Sequence, residues 1–168
     1  NSEISMVEAV SLAVGSMQNV RIRLRNHPSS RVDSHPRYKN CTATIEISSG
    51  SLKEDLEWSD LVIYSYSTVA EEAFILGKPV WQWLPLGFNG SALAEVARIP
   101  QYGAVTSLKT AISNLLCQRP PEIPTVEQRR QVAEDLFGPA DGGAAGRIAA
   151  KMEKYLERKG ELPAGVTN

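Results

Sequence analysis

The stretch Asp60–Trp83, DLVIYSYSTVAEEAFILGKPVWQW, decides how the rest of the chain is read. It opens with Leu61-Val62-Ile63-Tyr64, an apolar run long enough for a short buried strand and too short for a helix. Ser65-Tyr66-Ser67-Thr68 forms a small polar turn. Thr68 and Glu71 then stand at capping-box spacing, which predicts a helix start where hydroxyl and carboxylate each take up an orphan N–H. Ala70, Ala73, Phe74 and Leu76 carry that helix to Gly77, and Pro79 just beyond prevents its continuation. Val80-Trp81-Gln82-Trp83-Leu84 reads as the next strand. The unit is strand–turn–helix–strand, with its polar turn at the strand's C-terminal end. Open α/β sheets bind ligands at that end, and a helix N-terminus there favours phosphate.

The same residues carry a resemblance. Ser67-Thr68, Glu71-Glu72-Ala73 and Gly77-Lys78-Pro79-Val80 resemble the signature of the nucleotide-binding C-terminal domain of GT-B glycosyltransferases and UDP-GlcNAc 2-epimerases. His27-Pro28 together with Ser67-Thr68 is similar to the paired HP and S-(S/T) motifs of bacterial sialyl-, Kdo- and CDP-polyol transferases. The likeness spans roughly Val20 to Leu116. It implies a Rossmann-like α/β domain with a mainly parallel sheet and helices on both faces, one half of a GT-B enzyme. It also implies a nucleotide-sugar donor, UDP-linked or CMP/CDP-linked, used in surface polysaccharide synthesis. By the same resemblance Ser67 and Thr68 hold the donor phosphate, and Glu72, five residues before Gly77, holds the ribose. His27 is the catalytic candidate, offsetting charge on the departing nucleotide. No metal and no further cofactor is called for. A 2-epimerase should carry Ser-Gly-Gly where this chain has Ser67-Thr68-Val69, which counts against that alternative. A non-catalytic nucleotide-binding or interaction module is the alternative from a different class.

Outward from the central unit, strands and helices alternate. Ile4, Val7, Val10 and Val14 repeat at helical spacing, predicting a helix from Ser2 to about Gly15. Val20 to Arg25 alternates apolar and basic residues strictly, as a strand does. Ser29 to Asn40 is polar and contains Pro36, so it reads as a loop, and Thr42 to Ile47 is β-branched like a short strand. Ser51 and Glu54 form another capping box, opening a helix through Leu56 and Trp58. After the central unit come a loop over Pro85–Gly90, a short helix Ser91–Ala97, an edge strand Tyr102–Val105 and an amphipathic helix Ser107–Cys117. Residues 1–118 thus read as a Rossmann-like core. A proline-rich linker at 119–124 leads to helices over Thr125–Phe137 and Gly143–Lys159, expected to pack on that core within 119–168, and Gly160 to Asn168 reads as a fraying end.

The sequence opens on a helix, whereas a doubly wound sheet opens on a strand. The expectation is that the preceding strand, together with an N-terminal acceptor domain, lies outside the 168 residues. Helix 2–15 and strand 20–25 should then flank a vacant place in the sheet, to be covered by another chain or left as an edge. The acceptor and the general base would come from the absent half, so this chain alone should not turn over substrate.

Composition sets the outer limits. With 42% hydrophobic and 22% charged residues and a formal net charge of −1, the chain has no bulk attraction for nucleic acid. Arg21 to Lys39 holds six basic residues against one acid, Asp33, which reads as a solvated strand face and loop or as an anion-facing surface. Cys41 and Cys117 have no metal or redox spacing and fit a reducing compartment. Without a signal peptide or an apolar run of spanning length, a cytoplasmic location is expected. Helix 143–159, with Ile148, Met152, Tyr155 and Leu156 on one face and basic residues around it, is a candidate for peripheral membrane contact or for docking on its own or a partner domain, including a second copy. Trp81 and Trp83 alternate on a strand and read as core rather than as a stacking platform for a base. Adjacent acids cannot share a helix face, so only one of Glu71 and Glu72 is expected to meet a ligand.

Overall fold

A computed structural model describes residues 2–15, 17–87, 90–117 and 120–159, so the expectation for Gly160 to Asn168 lies outside the described residues. The chain runs α1 (Ser2–Val14), β1 (Ile22–Leu24), β2 (Ile45–Ile47), α2 (Leu52–Trp58), β3 (Val62–Tyr64), α3 (Val69–Ile75), β4 (Val80–Trp83), α4 (Ala92–Val96), β5 (Gln101–Tyr102), α5 (Val105–Leu116), α6 (Val126–Phe137) and α7 (Ala144–Lys159). Every strand pair is parallel, as alternating strands and helices require. The fold is Rossmann-like α/β. Its parallel strands nevertheless form two sheets, β1–β2 and β3–β4–β5, rather than one.

Alternation along the strands assigns the layers. Val80 faces a cluster built with Tyr64 of β3 and with Leu56, Phe74, Leu93 and Val132, drawn from α2, α3, α4 and α6. Trp81 and Trp83 face the opposite cluster with Ala9, Ala13, Leu108 and Ile112 of α1 and α5. The Trp81 ring tilts at 54° against Tyr102 with centroids 5.0 Å apart. Helices therefore cover both faces, and both tryptophans are core. A third cluster, Ile4, Val7, Leu24 and Val32, seats α1 against the β1–β2 pair. Ser11 ties the same helix to the strand entry, its fully buried Oγ accepting the Thr42 and Ala43 N–H groups at 2.8 and 3.0 Å.

Local signals account for most helix ends. Ser51 and Glu54 make both bonds of a capping box, and Thr125 with Gln128 does the same for α6. Gly77 takes φ +82° after α3, the left-handed cap expected of it. Three local expectations are corrected. Thr68 does not cap α3: it is already helical (φ −64°, ψ −16°), and the Ser67 hydroxyl instead accepts the Val69 N–H at 3.3 Å. Ser29–Asn40 is not plain loop but holds two 3₁₀ turns, Val32–Ser34 and Pro36–Asn40. The last strand is Gln101–Tyr102, and Val105, read as strand, begins α5.

Pairing also resolves the basic run. Arg23 and Arg25 both reach Asp55 (3.4 and 2.7 Å), and Arg23 also reaches Glu46 at 2.7 Å. Arg31 pairs with Asp33, Arg37 pairs with Glu8, and the Arg21 and Arg23 guanidiniums lie over the Trp58 ring. Most of the stretch is thus spent on internal partners rather than presented to an anion. Burial works against ionisation of Asp55, but hydrogen bonds from Ser48 and Arg25 and the charges of Arg25 and Arg23 outweigh it, holding the carboxyl below its ordinary value. Asp55→Asn should therefore cost about 1.5–3 kcal/mol at pH 7, the range for hydrogen bonds to a charged group. Because the folded-state value is the lower one, this contribution is complete above the unfolded pKa of about 3.9 and is lost as pH falls through the folded value. Urea midpoints of wild type and variant should differ at pH 7 and converge in acid.

Candidate functional site

The two sheets do not touch edge to edge. Between β1 and β3 lies a cavity of about 900 Å³, walled on its sides by residues 20–26 and 61–67. At the C-terminal ends of these strands its lining turns polar. His27 follows β1 there, and Ser67 and Thr68 follow β3, so three of the four residues predicted from sequence line one cavity. Both turns lie toward the end of the strands where α1 begins: Ser30, after β1, donates to Glu3, and Trp83, closing β4 beside β3, donates to Ser5.

His27 is exposed and held by its own turn. Its carbonyl accepts the Ser30 N–H at 3.0 Å, and its Nδ1 accepts the Ser29 N–H at 3.2 Å while meeting Ser29 Oγ at 2.8 Å. A backbone N–H can only donate, so Nδ1 is the accepting nitrogen and the neutral ring carries its proton on Nε2. The imidazole is therefore set to donate from Nε2. Beside it Asn26 locks the loop, its Oδ1 accepting the Val32 N–H and its Nδ2 donating to Asp33.

Across the cavity, Ser67 and Thr68 are exposed. The Ser67 hydroxyl is committed to the Val69 N–H, and the Ser67 and Thr68 carbonyls accept from Ala70 and Glu71 at 3.2 and 3.0 Å. The Thr68 hydroxyl makes no cap bond.

The two glutamates separate. Glu72 is exposed on the first turn of α3 and lies outside the cavity lining. Glu71 is half-buried near Tyr64, whose phenol burial pushes above its ordinary value, with Ser91 lowering and the Glu71 charge raising it. Tyr64 Oη and Ser91 Oγ sit 2.8 Å apart, both buried, joining β3 to the start of α4. Sequence reasoning placed Ser91 at the start of a short helix but missed its bond to Tyr64. A tyrosine closing a strand and a serine capping a later helix give no joint signal until β3 and β4 pair. Gln82 was missed as well. It is fully buried in β4, donates to the Ser65 carbonyl at 3.1 Å and accepts from Gln101 at 3.0 Å, pinning the turn after β3. A glutamine between two core tryptophans is the sequence signal for such a buried polar anchor.

Among the described residues no group of three His, Cys, Asp or Glu side chains is placed to hold a metal ion, and no helix is long and apolar enough to cross a membrane. Comparison with protein-family models, curated proteins and solved structures gave no match.

Proposed function

We propose that the chain is the nucleotide-sugar-binding half of a GT-B-like glycosyltransferase for surface polysaccharide synthesis. The observation that carries this reading is the convergence of His27, Ser67 and Thr68 on one cavity at the C-terminal ends of two parallel strands. Those residues are the ones that resemble the paired HP and S-T motifs. In this reading the Ser67 and Thr68 hydroxyls donate to the donor phosphate, Nε2–H of His27 donates to the phosphate whose charge grows as the sugar leaves, and Glu72 holds the ribose. Hydroxyls and an imidazole suffice for such binding without a metal. Acceptor and general base come from the partner half, since transfer needs a base within about 3 Å of the attacking hydroxyl.

Calorimetry with UDP, CDP and CMP tests the reading. At least one should bind, and the parent nucleoside should bind more weakly. His27→Ala should weaken the nucleotide more than the nucleoside. The isolated chain should bind without transferring sugar above a no-protein control. Silence across the panel would instead favour a non-catalytic interaction module.

A further inference from the structure

The body of the cavity, about 900 Å³, is lined along its length by residues of β1 and β3. Among the described residues β1 pairs only with β2 and β3 only with β4, so each has an unpaired edge, and the cavity lies between them. In a strand paired on one side, every second residue points its N–H and C=O away from the partner. Here two such rows face each other. Above and below, the walls are mostly apolar: Met6 and Val10 of α1 and Ile112 of α5 on one face, Leu52 and Leu56 of α2 on the other, with the Asp55 ion pairs beside them. A small polar ligand would leave both backbone rows and the apolar walls unsatisfied. A single extended chain answers both, with main-chain bonds to each side and apolar side chains up and down.

The source of that chain follows from α1. Ser30 Oγ donates to Glu3, and Trp83 Nε1 donates to Ser5 Oγ at 3.3 Å, so α1 begins at the C-terminal end of β1 and β4. A strand parallel to its neighbours would leave the slot at that same end. The link into α1 is then a short strand-to-helix loop, and strand–α1–β1 becomes a crossover between adjacent parallel strands. We infer that the slot between β1 and β3 takes one apolar parallel strand of about six residues, supplied by polypeptide joined directly to the N-terminus of α1, giving one continuous six-stranded sheet. This inference does not depend on what binds at the polar rim: the strand fills the body of the cavity, and His27, Ser67 and Thr68 stay at its mouth.

The test places an extension, Lys-Val-Ile-Val-Val-Ile-Ser-Gly-Asp, directly ahead of Asn1 in the full chain. A control carries Pro-Pro in place of Val-Val and cannot pair. The strand extension should raise Tm by about 10 °C or more and slow amide exchange at Ile22–Leu24 and Val62–Tyr64 at least about tenfold, while the proline control does neither. The same strand offered as a free peptide at millimolar concentration is a second measurement on the unextended chain and should slow exchange at the same amides. Equal behaviour of the two extensions, or no effect of the free peptide, overturns the inference. So does an unextended chain that sediments as a dimer and loses protection of β1 and β3 on dilution, because a second copy would then fill the slot.

Discussion

Trp83→Ala should lower the unfolding free energy by about 3–5 kcal/mol, the cost of deleting a buried aromatic whose cavity cannot collapse. Trp83 is 4% exposed and packs on Ala9, Ala13 and Val14 of α1 and on Leu108 of α5. The two alanines matter because they let the helix backbone approach the strand and have little side chain of their own to move into the space. The substitution also strands the Ser5 hydroxyl that accepts the indole N–H. Trp83→Phe keeps most of the apolar volume and should cost less than half as much. Leu86→Ala, at a side chain 90% exposed, should stay within about 0.5 kcal/mol. Urea unfolding at pH 7 measures all three. If Trp83→Ala left stability unchanged and removed nucleotide binding, the indole would be a base-stacking platform and the layer assignment would be wrong.

The central unit was legible because its signals are local. An apolar run, a polar turn and a Gly-x-Pro stop need nothing from the rest of the chain, and β3, α3 and β4 follow. His27, Ser67 and Thr68 were grouped in the sequence by resemblance, and all three line the cavity between β1 and β3. Where tertiary partners decide, sequence was silent. The 3₁₀ turns in 29–40 sit against α1, with Arg37 on Glu8 and Ser30 on Glu3, each contact reaching 27 or more residues along the chain. The start of α5 was misplaced because Ala104 caps it without a side-chain bond, leaving Tyr102-Gly103-Ala104-Val105 to read as a strand. The basic run could not be resolved until α2 brought Asp55 beneath Arg23 and Arg25. The division into two sheets was visible only as an expected gap beside strand 20–25; its apolar walls required α1, α2 and α5 to be in place.

Glu72→Ala should weaken nucleotide binding by about 1.5–3 kcal/mol, while Glu71→Ala leaves it nearly unchanged. A carboxylate that takes two ribose hydroxyls must be open to solvent before the ligand arrives, and Glu72 is the exposed member of the pair. Glu71 is half-buried, with its charge acting on Tyr64. Because Thr68 makes no cap bond, Glu71→Ala removes no capping box, and its effect on helix stability should be small. It should instead lower the Tyr64 pKa, read from the ultraviolet phenolate titration. A 2′,3′-dideoxy nucleotide supplies the matching control: it should bind wild type weakly and the Glu72 variant no worse, since the hydroxyls that the carboxylate would hold are already gone. The two substitutions exchange outcomes if the ligand instead approaches over Tyr64 and Ser91. Loss of binding in Glu71→Ala with Glu72→Ala intact would therefore move the ribose one residue back along α3, onto the face that already carries the buried Tyr64–Ser91 contact.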